Sequence, residues 1–309
     1  MKTPKLAIVA VLTFATISVL GATPPASAAP SCPSPDAGVL IRTGEPGLSW
    51  AENVGYDRDG NLWVSRSLRN VVERYDRSGR LTGSVAVESP GAIRLGPDGR
   101  MYVAAGDSPV NMIPGLPRTG RIMAFSPSLK HPRPRAFAIG LGMPNGLAFA
   151  TDGAMYVADS NIGVVRIDPR GVIDKSWTAR APKNLSPNAV VNGTGMNGIV
   201  IIDEIAYVTL TSSLTGRILR IPLRHPNAVG VAVDLTGPLP GVVDDLAALD
   251  DHTVAAATTT GQVIVADLRT GRRCTVSLGE PLTSVAVVPA RSRTLVIGTE
   301  SGNIRLVRL

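Results

Sequence analysis

Six times along the chain, a run in which apolar residues alternate with small or polar ones leads through a turn into a second such run. The copies read "ENVGYDRDGNLWVS" from Glu52, "GAIRLGPDGRMYVA" from Gly91, "NGLAFATDGAMYVA" from Asn145, "NGIVIIDEIAYVTL" from Asn197, "DDLAALDDHTVAAA" from Asp244 and a worn "TSVAVVPARSRTLVIG" from Thr283. In the first three, Asp-Gly falls seven residues after the opening residue, at Asp59, Asp98 and Asp152. The later copies keep the hydrophobic pattern with a slip of one or two residues. Most copies continue into a third run: "NVVERYDRSG", "GRIMAFSP", "GVVRIDPRG", "GRILRIPL", "GQVIVADLRTG" and "GNIRLVRL". Period-two runs rich in Val, Ile and Leu, closed by Gly, Asp and Pro, are strand and hairpin signals. Helical periodicity is absent outside the N-terminal leader.

Repeats of about 45 residues mark propellers. Six units filling residues 38–309 predict an all-β fold, a six-bladed β-propeller whose blades radiate around a central channel. Seven blades is the alternative, but no seventh copy is found. A ring left open would expose unpaired strand edges. The chain ends on "GNIRLVRL", and "GVLIRTG" at 38–44 stands before the first full copy. The N-terminal strand is therefore expected to complete the last blade.

The first 28 residues stand apart. Lys2 and Lys5 precede an apolar run from Leu6 to Ala22, and "ASA" at 26–28 is a small-residue cleavage site. This predicts a secretory signal peptide over 1–28, a short segment over 29–37 and the propeller over 38–309. A membrane anchor fits less well, because the run is short and is followed by Pro24 and Pro25. Secretion gives meaning to the two cysteines. In an oxidising compartment Cys32 and Cys274 read as one disulfide near the seam of the ring, the other reading being two free thiols. Without the two lysines of the leader, the formal charge falls from +7 to about +5. That excess is spread thinly: "KHPRPR" and "RTGRRC" are short and aromatics are few. Nucleic-acid binders concentrate charge and stacking residues, so no nucleic-acid partner is expected. His131, His225 and His252 have no zinc-type spacing.

In a propeller the first strand of each blade lines the channel and begins at one rim. The opening residues therefore converge: Glu52, Gly91, Asn145, Asn197, Asp244 and Thr283. Singly, Asn-Gly and Asp-rich starts are ordinary turn chemistry. Together, two carboxylates facing each other without a cation would be costly to bury. Two carboxylates and two amide oxygens, from Glu52, Asn145, Asn197 and Asp244, instead form a hard-cation donor set suited to Ca2+ or another divalent ion. A purely structural polar ring is the alternative.

These motifs resemble the calcium-dependent six-bladed propellers of the regucalcin–gluconolactonase family, related to the paraoxonases and strictosidine-synthase-like proteins. The resemblance spans essentially the whole chain after the leader. It is carried by "WAENVGYDRDGNLWVS", "MPNGLAFATDGAMYVADSNIGVVRIDP", "MNGIVI" and "VVDDLAAL". It implies a metal bound by Glu52, Asn145, Asn197 and Asp244, and it agrees with a Cys32–Cys274 disulfide tying the termini. The implied activity is hydrolysis of a lactone or other activated ester, with Asp244 on the metal and Asp245 as candidate general base. Asp245 reads equally well as a turn carboxylate. One departure matters: relatives carry a catalytic His or a substrate-binding Asn where this chain has Gly91. The rival expectation is a secreted, non-catalytic binding propeller with a structural calcium ion. Either way the partner expected is a small molecule, and the chain is expected to be a monomer with no membrane association after leader cleavage. The long connection "AAGDSPVNMIPGLPRTG", carrying Asp107, Met112 and Leu116, reads as a pocket lid or a plain surface excursion.

Overall fold

Each of the repeated runs becomes a strand in the computed structural model, which describes residues 31–33, 35–113, 115–236 and 242–309. The leader expected at 1–28 lies outside the described residues. The first strand, β1 (Asp36–Ile41), precedes all six repeats. Blade one is β2 (Asn53–Tyr56), β3 (Leu62–Arg66), β4 (Val71–Tyr75) and β5 (Leu81–Ala86). Blade two is β6 (Pro90–Leu95), β7 (Met101–Ala105), β8 (Gly120–Phe125) and β9 (Arg135–Leu141). Blade three has three strands, β10 (Pro144–Phe149), β11 (Met155–Asp159) and β12 (Gly163–Ile167). Blade four is β13 (Met196–Ile202), β14 (Ile205–Leu210), β15 (Arg217–Pro222) and β16 (Gly230–Asp234). Blade five is β17 (Val243–Ala248), β18 (Thr253–Thr258), β19 (Gln262–Asp267) and β20 (Arg273–Ser277). Blade six holds β21 (Leu282–Val288), β22 (Arg291–Thr299) and β23 (Ile304–Arg308). β1 pairs antiparallel with β23, Asp36 opposite Arg308 and Ile41 opposite Ile304. The start of the chain thus finishes the last blade of a six-bladed β-propeller.

The core is divided rather than central. Six apolar clusters form, one between each pair of neighbouring blades. Trp63, Val72 and Val85 of blade one meet Ile93, Met101 and Phe125 of blade two. At the seam, Ile41 of β1 joins Val54, Leu62, Val296 and Ile304. Both faces of a blade are therefore buried against neighbours, which is why the runs are apolar at more than every second position.

Blade three departs from the expectation of no helix. Its outer edge carries α1 (Lys175–Arg180), six residues long and too short to leave a helical period in the sequence. The Asp174 carboxylate caps it by accepting from the Trp177 amide at 2.9 Å. Trp177 is buried edge-on against Tyr156, with 5.1 Å between ring centroids, and its indole donates to the Leu223 carbonyl at 2.6 Å. The helix thus seals the boundary between blades three and four.

Cys32 and Cys274 form a disulfide, joining the segment before β1 to β20 across 242 residues of chain. The Cys32 amide also donates to the Thr275 carbonyl at 3.0 Å. Closing so long a loop constrains the unfolded chain strongly, so the Cys32→Ser/Cys274→Ser variant is expected to lose about 2–4 kcal/mol. Urea denaturation of the variant against the parent measures this; a midpoint unchanged by the double substitution would contradict it.

Candidate functional site

The opening residues of the blades sit at irregularities. Ladder pairing breaks between Pro90 and Ile93, Pro144 and Gly146, Met196 and Ile199, Val243 and Leu246, and Leu282 and Ser284. Gly91, Asn145, Asn197, Asp244 and Thr283 all fall inside these breaks. Such a bulge frees a residue from strict alternation and re-aims its side chain. The Asn-Gly pairs are therefore not turns. Gly146 is required by close approach, since a β-carbon there would collide with the Asn197 carbonyl of the next blade.

Each of the four expected ligands is held by a dedicated clamp just outside it. The segment leading to Glu52 is fixed by Arg66, whose guanidinium donates to the Ser49 carbonyl at 2.6 Å and the Gly302 carbonyl at 2.7 Å. The loop before Asn145 is tied by Asp159, which accepts the Gly142 and Met143 amides at 2.8 and 3.2 Å and those of Asn161 and Ile162 at 2.8 Å. Asn184 accepts from the Gly195 and Met196 amides at 2.7 and 2.9 Å, setting the start of β13. Thr209 bridges two blades, accepting from the Gly198 amide and donating to the Asp244 carbonyl, both at 2.8 Å.

The result is a cavity of about 440 Å3 at the channel mouth, lined among others by Trp50, Glu52, Asp107, Asn145, Asn197, Thr211, Asp244 and Glu300. All four expected ligands are here, and all four are buried. Among the described residues, no Lys, Arg or His lines it. The Asn197 amide nitrogen donates to both Asp244 Oδ1 and Thr211 Oγ1, the latter at 2.9 Å. Both of its N–H groups are thereby used, and its oxygen remains to face the cavity. The Trp50 indole donates to Glu52 Oε2 at 2.5 Å.

Electrostatically the cavity is strained. Burial pushes the Glu52 carboxyl up, against hydrogen bonds from Trp50 and Asp107 that pull it down, while the Asp245 and Glu300 charges add to the rise. Burial pushes Asp107 well above the carboxylate range, and the neighbouring Glu52 and Asp244 charges add to that. Asp244 rises likewise through burial and the charges of Glu52, Asp245 and Glu300. Carboxylates are acceptors only, so such a group stays together through shared protons or a shared cation. Asp107 Oδ1 is buried with no hydrogen-bond partner. An orphaned buried carboxylate oxygen beside acid and amide oxygens fits a hard cation of the calcium type.

Asp245, expected as a candidate general base or equally as a turn carboxylate, is not among the residues lining the cavity. It lies beside Asp244 in the same bulge but turns the other way, below the cavity. Arg94 donates to both of its oxygens at 3.3 and 3.2 Å, and Asn53 Nδ2 and the Val285 amide donate to Oδ2 at 3.2 and 3.3 Å. With four hydrogen bonds on its two oxygens, Asp245 anchors this layer. Arg94 reaches further, to Asn53 Oδ1 at 2.5 Å and the Ile93 carbonyl at 2.9 Å. Beneath this layer lies a separate cavity of about 260 Å3, lined by Tyr56, Leu95, Val200 and Ala248 among others. The three histidines also lie apart from the mouth; the His252 ring contacts Asp251 in an exposed turn.

Sequence reasoning missed Trp50, Thr211, Thr259 and Glu300 in the lining, and Arg94 below it. The signal was present in the repeat. Ser67, Thr211, Thr259 and Glu300 each follow the second strand of their blade, forming a second ring beside the openers.

No family profile matches the chain, and no curated protein matches it in sequence. Among solved structures the propeller is widely shared. An inferred gluconolactonase superposes with a TM-score of 0.64 at 16% identity, covering 90% of this chain and 93% of its own. Virginiamycin B lyase from Staphylococcus aureus, as a catalytically inactive variant with quinupristin, gives 0.60 at 11% identity over 89% of this chain and 100% of its own. The PQQ-bound aldose sugar dehydrogenase of Streptomyces coelicolor gives 0.59 at 16% identity over 89% and 98%. The likeness is one of fold.

Two predictions follow from the charge layout. The Glu52, Asp107 and Asp244 carboxyls are raised on folding, so their stabilising contribution is full below about pH 4 and is lost as pH rises through their folded values. With chelator present, Asp244→Asn should therefore gain melting temperature relative to the parent as pH increases from acid to neutral. A difference flat with pH would contradict the crowding. Below the cavity, Arg94→Met should cost about 3 kcal/mol in urea denaturation by stranding Asp245, and adding Asp245→Asn should recover most of it.

Proposed function

We propose that this chain is a secreted, calcium-dependent hydrolase of lactones or related esters, with the cation held by Glu52, Asn145, Asn197 and Asp244. The observation that carries the reading is the mouth cavity itself, acidic on several sides and free of basic residues among those described. Held there, a cation would supply Lewis-acid chemistry toward a carbonyl oxygen and a water. Glu52 and Asp244 supply anionic oxygens. Asn145 and Asn197 supply neutral ones, the latter's orientation set by its bonds to Asp244 and Thr211. With Asp245 engaged by Arg94, the proton acceptor in this reading is Glu300, half-buried at the same mouth, its carboxyl raised by burial. The cavity volume suits a small-molecule substrate. The inferred gluconolactonase that shares the fold agrees with a lactone, while the lyase and the dehydrogenase show that the architecture serves other chemistries. The leader predicted at 1–28 supports secretion, and the diffuse charge speaks against a nucleic-acid partner.

A second reading is a non-catalytic binding propeller with a structural calcium ion. Gly91 favours it, because the inner strand of blade two offers no side chain for catalysis or substrate binding.

Thermal melts test the ion. Calcium at a hundred times its dissociation constant should stabilise by about 2.7 kcal/mol, and chelator should remove the gain. Glu52→Gln and Asp244→Asn should lose most of that response. Elemental analysis without metal, together with no shift, would sink the centre. A panel of aldonolactones, acyl-homoserine lactones and aryl esters tests turnover. Hydrolysis that survived both substitutions would refute the mechanism, and a calcium-binding protein inert on the whole panel would establish the second reading.

A further inference from the structure

Blade two is the blade whose inner strand carries no side chain at its opening position, Gly91. The gap is filled from the neighbouring strand. Asp107 comes two residues after β7, and its β-carbon stands 3.2 Å from where a β-carbon on residue 91 would be. A side chain at 91 would therefore crowd Asp107 and oblige it to shift by a few tenths of an ångström.

The chain around Asp107 is built to hold it there. Its amide donates to the Ser89 carbonyl at 3.0 Å. Gly106, at φ +91°, turns the backbone into the mouth, and a β-carbon there would press on Asn111 Nδ2 at 3.0 Å and Gly120 Cα at 3.1 Å. Asn111, buried in a single 3₁₀ turn (Pro109–Met112), donates to the Gly106 carbonyl at 2.7 Å and accepts from Thr119 Oγ1 at 2.8 Å. Its own carbonyl accepts from Asn161 Nδ2 of blade three at 2.7 Å. The first half of the long blade-two connection is thus fastened to two blades, with Ser108 and Pro109 lining the cavity and Val110 and Leu116 left outside. Asp107 turns its carboxyl toward Glu52, and Oδ1 has no donor in reach. A buried acceptor without a donor is expensive unless a ligand satisfies it.

We propose that Asp107 is the second blade's cation ligand, supplied by the loop after β7 in place of the inner strand and making the centre one of three carboxylates with Glu52 and Asp244. The inference rests on the reading of a cation at this mouth and goes beyond it. A third anionic donor raises affinity for hard ions, and most for the most highly charged.

Terbium and calcium serve as probes. Trp50 lines the cavity and touches Glu52, so Trp-sensitised terbium emission reports on this site, and calcium should displace it. Asp107→Asn, nearly isosteric, is expected to weaken calcium by about tenfold or more and terbium further. In chelator the same variant should melt higher than the parent, because one crowded charge is gone. A merely structural aspartate would not move these two readings in opposite directions. Asp107→Ala should weaken binding similarly. If the parent binds both ions and Asp107→Asn binds them equally well, this inference is overturned while the four-ligand centre stands. If the parent itself binds neither, the centre and the inference fall together.

Discussion

Everything at the mouth of the channel depends on one strand pairing, β1 against β23. Six blades bury their faces against each other, so the outer faces of blades one and six stay exposed until the last interface is made. That interface joins the two ends of the chain. Ile41 enters the cluster shared by blades one and six, and Arg66 spans the same seam to the carbonyls of Ser49 and Gly302. Glu52 stands on one side of the seam and Glu300 on the other, so closing it is what brings them into one cavity. Pairings this distant in sequence pay their loop entropy before any contact rewards it. A disulfide from the segment before β1 reinforces the ring near that join.

The channel solves the problem of buried acids twice, in different ways. Asp245 is neutralised from within: a guanidinium, a side-chain amide and a backbone amide all converge on it. Glu52, Asp107 and Asp244, one layer above, face no guanidinium; the Trp50 and Asn197 donors offset only part of the cost, and their carboxyls rise through burial and neighbouring negative charge. The chain could have placed an arginine there too, as it did at position 94. Leaving the upper layer negative costs stability, and cost concentrated in one place marks where a fold has been fitted to a ligand.

How much of this was legible in the sequence differs by feature. The repeat made the blades, their order and their closure readable, because period-two alternation survives even in the worn copy from Thr283. The ring of Glu52, Asn145, Asn197 and Asp244 was readable only by alignment of the copies with one another. The bulges were not, since a break in pairing leaves no mark on composition. That is why the place of Asp245 could not be read from alternation: a period of two has no force inside a bulge, and Asp244 and Asp245 divide between the cavity and the layer beneath. Arg94 gave no signal of its own, standing as a single basic residue within the second copy of the repeat. Asp107 sits in an irregular connection where no period operates, although Gly91 had already announced that something was missing from that wall. The short helix α1 escaped for the opposite reason, being too brief to show a period at all.

The layer of Arg94, Asn53 and Asp245 also divides the channel into an upper cavity and a lower one with no lining residue in common. On the upper side, Ser108 and Pro109 of the blade-two loop border the cavity beside Asp107, so a change in that loop reshapes the same space that the acids line.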